Sequence, residues 1–182
     1  AITLSPGSSI RYDRLSFGKK ERYIELAGKA FFNVNHLKNV PFHINTPLAD
    51  IQVLGTQFQV VSTKDSTVTW IVSGKVRFST SRQCTDLTQN MRAIVNRENG
   101  QIQVSAKDHL NELAWKTHRL VYQNTPLREV VADLEKLYQI KLKNIPPQNL
   151  KLTATFDTME ISDILYIINQ TLDTNLTITI QQ

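Results

Sequence analysis

The chain has 182 residues, a single cysteine and six glycines, with 41% hydrophobic and 20% charged residues. That is enough apolar material for a real core and argues against disorder. One cysteine excludes an internal disulfide, and no apolar run reaches the ~18 to 20 residues of a membrane-spanning helix. The net charge of +5 and pI near 9.4 are spread along the chain. Lys19, Lys20 and Arg22 sit near one turn, while Lys136, Lys141, Lys143 and Lys151 are interspersed with Glu129, Asp133 and Glu135. A nucleic-acid surface would concentrate its cations and interleave aromatics, so these residues read as solvated faces and no nucleic-acid partner is expected.

From Ile2 to about Val104 the pattern is short strands separated by turn residues: Ser5-Pro6-Gly7, Phe17-Gly18, Lys38-Asn39-Val40-Pro41, Thr46-Pro47 and Glu98-Asn99-Gly100. A phrase recurs three times, a glycine at a bend followed by alternating apolar residues. Its copies are Glu25 to Val34 around Gly28, Gln52 to Val60 around Gly55, and Trp70 to Phe78 around Gly74. Side chains two apart share a strand face, so Ala30, Phe32 and Val34, then Phe58 with Val60, then Val76 with Phe78, are assigned to the core. Each copy is expected to run strand, kink, strand. Asn99-Gly100 predicts a hairpin joining Arg92–Val95 to Ile102–Val104. The uneven glycine spacing, 27 residues and then 19, suits a coiled or sandwich-like all-β domain over residues 1–108 better than a strict repeat array.

The pattern changes near Trp115. Leu127, Val130, Val131, Leu134 and Leu137 fall on one helix face, with Thr125 as cap and Pro126 in the first turn. A second stripe, Ile161, Ile164, Leu165, Ile168 and Leu172, repeats the first at an offset of 34 residues. Strand-like Ile140–Leu142 and Leu176–Ile180 follow the helices. Two strand-helix-strand units are therefore expected over 112–182, each burying its helix on a small sheet, with the boundary between Lys107 and Glu112. Trp115 is placed where it would cement the two modules. The fold class is mainly β, an all-β domain followed by a small two-helix α/β module.

No catalytic constellation is legible. His36, His43, His109 and His118 lack paired-ligand spacing, Cys84 lacks a nucleophile motif, and no glycine-rich phosphate loop occurs. Asp133 and Glu135, two apart on a helix, point away from each other and are assigned to solvent. No enzyme activity, metal or cofactor is expected. The surface favoured for function is a sheet edge, where unpaired backbone groups accept a partner strand. Two edges qualify: Leu120–Gln123, with Val121 and Gln123 as contact positions, and Leu176–Ile180, with Thr177 and Thr179 facing outward. The alternative is that both edges are paired internally.

Several phrases of the first half resemble the periplasmic domain of the FecR family, membrane regulators of extracytoplasmic-type sigma factors. They are Leu26-Ala27-Gly28-Lys29-Ala30-Phe31-Phe32-Asn33-Val34, Pro41-Phe42-His43-Ile44, Val53-Leu54-Gly55-Thr56-Gln57-Phe58-Gln59-Val60 and Val72-Ser73-Gly74-Lys75-Val76. Trp115, Leu120 to Val130 and Leu134 to Ile140 are similar to the module following it in Bacteroidetes-type members, which is like the secretin and TonB short N-terminal domain. One departure stands out: Leu87-Thr88-Gln89-Asn90 replaces the family's Leu-x-Pro-Gly-Gln turn.

The resemblance implies a periplasmic, signal-receiving part of an anti-sigma factor, anchored in the inner membrane by one span. Its implied partners are the signalling domain of an outer-membrane TonB-dependent transporter, regulatory proteases, and a sigma factor held by a cytoplasmic region outside this sequence. A structural or carbohydrate-binding β module without a signalling role is the alternative, and an enzyme ranks third.

Overall fold

Period-two alternation builds the first half. The computed structural model describes residues 1–15, 17–18, 22–37, 40–106 and 111–179. Lys19, Lys20, His109 and residues 107–110, where the boundary was expected, lie outside that set. Strands β1 (Ile2–Leu4), β2 (Ser9–Arg11), β3 (Arg22–Val34), β4 (Phe42–Asn45), β5 (Asp50–Val53), β6 (Thr56–Ser62), β7 (Ser66–Ser73), β8 (Lys75–Ser79), β9 (Cys84–Thr88), β10 (Arg92–Asn96) and β11 (Ile102–Ser105) join one sheet. The order is β11-β10-β7-β6-β3-β4-β5-β8-β9, with β1 and β2 laid against β3.

β3 lets this sheet fold over on itself. Its first residues pair parallel with β4, from Arg22↔Phe42 to Glu25↔Asn45. Its later ones pair antiparallel with β6, from Gly28↔Ser62 to Val34↔Thr56. The two halves then face each other: Phe32, stacked on its cross-strand partner Phe58 at 5.2 Å, meets Phe42 of the other half at 6.1 Å. Ala30, Phe32, Phe58, Val60, Val76 and Phe78 are all fully buried in one cluster, as the alternation predicts, and the architecture is sandwich-like.

The change of partner falls at Gly28, whose φ of +93° no L side chain adopts comfortably. A Cβ there would lie 2.5 Å from Ser8 Oγ and 2.8 Å from Ser8 Cα, while that hydroxyl already accepts the Lys29 N–H. Gly28→Ala is expected to cost about 1–3 kcal/mol, checked by urea denaturation. The other two glycines also sit at kinks between strands: Gly55 bends the chain from β5 to β6 and Gly74 from β7 to β8, where the neighbouring residues change partners completely. A Cβ on Gly74 would meet the Gly55 carbonyl at 2.7 Å, so the two turns are held close together.

The hairpin at Asn99-Gly100 forms, with β10 and β11 paired from Arg92↔Ser105 to Val95↔Ile102 and Gly100 at φ +62°. The unusual Leu87-Thr88-Gln89-Asn90 stretch still turns. Met91 N–H donates to the Thr88 carbonyl at 3.1 Å, and Asn90 supplies the left-handed residue at φ +65°. Asparagine tolerates that region, so it serves where the family phrase has glycine.

The chain divides into two compact units, Ala1–Asp108 and His109–Gln182. The second comprises α1 (Ala114–Thr117), β12 (Arg119–Pro126), α2 (Leu127–Tyr138), β13 (Leu142–Lys143), β14 (Lys151–Asp157), α3 (Ile161–Leu172) and β15 (Thr177–Ile178). The helix stripes are as expected: Leu127, Val130, Val131 and Leu134 of α2 share a core with Ile164, Leu165 and Ile168 of α3. Three details are corrected. Thr125 is not a cap; it belongs to β12, where its hydroxyl accepts the Gln123 N–H, and Leu127 N–H is taken by the Leu150 carbonyl. The strands after the helices are two residues each, Leu142–Lys143 and Thr177–Ile178. The helices do not each sit on their own sheet: β12 pairs with β14 and β13 with β15, so each two-stranded sheet takes one strand from each repeat.

Candidate partner-binding surfaces

The β12–β14 sheet buries one face and wets the other. Leu120, Tyr122, Leu152 and Phe156 point into the core, while Arg119, Gln123, Lys151, Thr153, Thr155 and Asp157 are exposed. Alternation fixes which backbone groups face which way. Thr158 N–H donates to the His118 carbonyl at 2.7 Å and Leu127 N–H to the Leu150 carbonyl at 2.8 Å. The even-numbered residues of β14 therefore bond to β12, and Val121 of β12 turns its backbone to the outer edge.

That outer edge of β12 is not open. Val121 N–H donates to Asn111 Oδ1 at 2.8 Å, and Asn111 Nδ2 donates in turn to Asp133 Oδ2 at 2.9 Å. Gln123 N–H is taken by Thr125 Oγ1, and Asn124, at φ +52°, sends its N–H to Thr153 Oγ1 across a bulge. Asn111 thus ties the edge of β12 to α2, and the bulge bends what is left; both devices discourage strand addition. Val121 and Gln123 keep their side chains on the wet face. At the other sheet, Thr179 N–H donates to the Lys141 carbonyl at 2.7 Å and Thr177 Oγ1 accepts from Asn144 Nδ2 at 3.2 Å, so both threonines face β13. Ile180 lies outside the described residues.

Asp133 and Glu135 are not solvated as expected. Glu135 Oε1 accepts the Leu142 N–H at 2.8 Å and Oε2 holds Lys141 Nζ at 2.9 Å. The bond from Leu142, then that from Lys141, hold its carboxyl below the usual glutamate range. Asp133 shifts the other way: burial raises it, against the opposing bond from Asn111. The Glu135 contribution to stability is therefore present above the unfolded glutamate pKa and lost as pH falls through the depressed folded value. The Asp133 contribution is present below the unfolded aspartate pKa and lost as pH rises through the raised folded value. Glu135→Gln is expected to flatten the acid loss, and Asp133→Asn, which keeps an acceptor for Asn111, to raise stability at neutral pH. Urea denaturation between pH 4 and 7 reads both.

In the first unit one row crosses the wet face of the sheet: Tyr23, His43, Gln52, Arg77 and Asp86 stand opposite one another on β3, β4, β5, β8 and β9. Tyr23 and His43 stack at 4.8 Å, and Asp50 takes a hydrogen bond from the Tyr23 hydroxyl at 3.1 Å and faces His43 Nδ1 at 3.4 Å. Asp86 holds Arg77 and Lys75, which in that order keep its carboxyl below the usual aspartate range. Arg22, grouped above with surface cations, is buried: its guanidinium donates to the Asn35 and Val40 carbonyls and lies 5.4 Å over the Phe42 ring. Cys84 is exposed, with Ser79 Oγ donating to its sulfur at 3.4 Å. Among the described residues no three His, Cys, Asp or Glu side chains gather as metal ligands, and no helix is long and apolar enough to cross a membrane.

These features define a class, a two-unit β-rich scaffold whose chemistry is displayed on sheet faces and edges. The FecR protein family model matches residues 1–77, and the model for the FecR C-terminal region matches residues 119–182. The chain belongs to the FecR family. Two crystal structures of a proposed anti-sigma factor from Parabacteroides distasonis, at 1.65 Å and 2.50 Å, are similar over 100% of this chain and 90% of theirs, with 26% identity and TM-scores of 0.66 and 0.65. No curated protein sequence matches the chain. The Asn90 turn lies between the two matched segments, consistent with its departure from the family phrase.

Proposed function

We propose that this chain is the periplasmic signal-receiving region of a membrane-anchored anti-sigma factor. It binds the signalling domain of an outer-membrane TonB-dependent transporter and relays that contact to an extracytoplasmic-type sigma factor through regulated proteolysis. It works by gripping polypeptide and not by turnover. One observation carries the reading: the two FecR-family models match in order, one in each compact unit. The structural likeness to a proposed anti-sigma factor over the full length supports it. The wet face of the β12–β14 sheet, with Val121 and Gln123, is the proposed contact, and Thr177 and Thr179 of the separate β15 strand are a second proposed contact.

Calorimetric titration of the chain with the isolated signalling domain of the transporter encoded beside it tests this. Saturable binding is expected, weakened about tenfold or more by Val121→Asp, which buries a charge in the contact. Absence of binding to every genomically linked transporter domain would overturn the reading.

A further inference from the structure

The outer edge of β14 differs from that of β12, its partner in the sheet. Lys151, Thr153, Thr155 and Asp157 turn their N–H and C=O groups away from β12, and among the described residues no strand pairs with them. The strand is seven residues long and carries no proline and no bulge of its own, and among the described residues no side chain is hydrogen-bonded to its outward backbone groups. Protein edges are ordinarily blunted by such devices, as β12 is by Asn111 and its bulge. What fits an unblunted edge is another extended strand.

The sequence of β14, Lys-Leu-Thr-Ala-Thr-Phe-Asp, is complementary to itself. We propose that β14 pairs antiparallel with β14 of a second copy of this chain, about a two-fold axis at Ala154. That register sets Lys151 against Asp157 of the other copy, Leu152 against Phe156, and Thr153 against Thr155. The odd-numbered residues, whose backbone groups face outward, become the hydrogen-bonded pairs, and Leu152 and Phe156 stay on the core face. Sliding by two residues loses the charge pairs, sliding by one turns the core side chains to water, and parallel pairing sets lysine beside lysine. Only one alignment satisfies every row. Asp157 already has Arg119 at 3.6 Å across the β12–β14 pair, so Lys151 of the second copy completes a cluster on one carboxylate. Lys151 itself has no ion pair among the described residues. The result is a four-stranded sheet, β12-β14-β14-β12, and the strand geometry alone supports it, independently of any transporter. One strand pair buries less than the ~1,200 Å² of a standard interface, so the association is transient.

Sedimentation velocity of the chain over a concentration series at low salt tests the pairing, with a reversible monomer–dimer equilibrium expected. Lys151→Asp and Asp157→Lys, each placing like charges opposite one another twice, are each expected to weaken self-association about tenfold or more. An equimolar mixture of the two variants restores opposite charges in both rows and should dimerise at least as well as the unaltered chain, which also shows that both variants fold. Thr155→Pro removes an outward donor without touching the β12 ladder and should abolish the dimer while leaving the circular dichroism spectrum unchanged. A chain that stays monomeric at every concentration, a dimer indifferent to Thr155→Pro, or a mixture no better than the single variants would overturn the pairing.

Discussion

Phe32→Ala is expected to lower the unfolding free energy by about 3–5 kcal/mol. Phe32 has no exposed surface, stacks on Phe58 of β6 and meets Phe42 of β4, so it is where the two halves of the folded sheet touch. Neither half can collapse into the void without breaking its own ladder, which puts the cost at the upper end for a core deletion. Urea denaturation measures the loss, and hydrogen exchange should quicken first in β3, β4 and β6. A cost below about 1.5 kcal/mol, the range of tolerated core swaps, would mean that the two halves do not depend on this contact.

Asn169→Ala is expected to cost about 2–4 kcal/mol in the second unit. Asn169 Oδ1 accepts the Leu176 N–H at 2.8 Å and the Thr174 hydroxyl at 2.8 Å, and its Nδ2 donates to the Leu176 carbonyl at 3.0 Å. Leu176 is only 2% exposed, so truncation leaves two backbone groups stranded, each worth about 1–3 kcal/mol, offset slightly by the better helix propensity of alanine. The same denaturation experiment reads it. If Asn169→Ala proves neutral, the Leu176 backbone groups find other partners and the clamp is not what closes the connection from α3 to β15.

The internal repeat gives this clamp a counterpart. Glu135 lies 34 residues before Asn169, and Leu142 lies 34 before Leu176. Glu135 accepts the Leu142 N–H as Asn169 accepts that of Leu176. Gln139 and Asp173, also 34 apart, both end their helices in the left-handed region, at φ +55° and +51°. The offset was visible in the apolar stripes. The polar half of the repeat was not, because a side chain that reaches seven residues forward leaves no periodic mark.

The candidate surface was legible only in kind. The two sheet edges read from alternation are those on which Val121, Gln123 and Thr179 amides already have acceptors. The edge without partners, β14, holds the residues Ala154 and Phe156 that the repeat had marked only as strand preceding a helix. Which edge stays open depends on Asn111, a residue outside every strand, meeting Val121 and Asp133 at once. Such a meeting has no signature along the chain.

Local periodicity by itself determined the alternating core positions of the first unit, both helix stripes, the β10–β11 hairpin and the division into an all-β half and an α/β half. These follow from spacings of two or 3.6 residues, which neighbouring side chains report directly. Only the tertiary structure decided that β3 changes partners at Gly28, that strands of different repeats pair with each other, that Asp133 and Glu135 are engaged instead of solvated, and that the outer edge of β14 has no strand partner among the described residues. Each of those is a contact between residues distant in sequence, settled by which hydrogen-bond donor reaches which acceptor once the chain is folded.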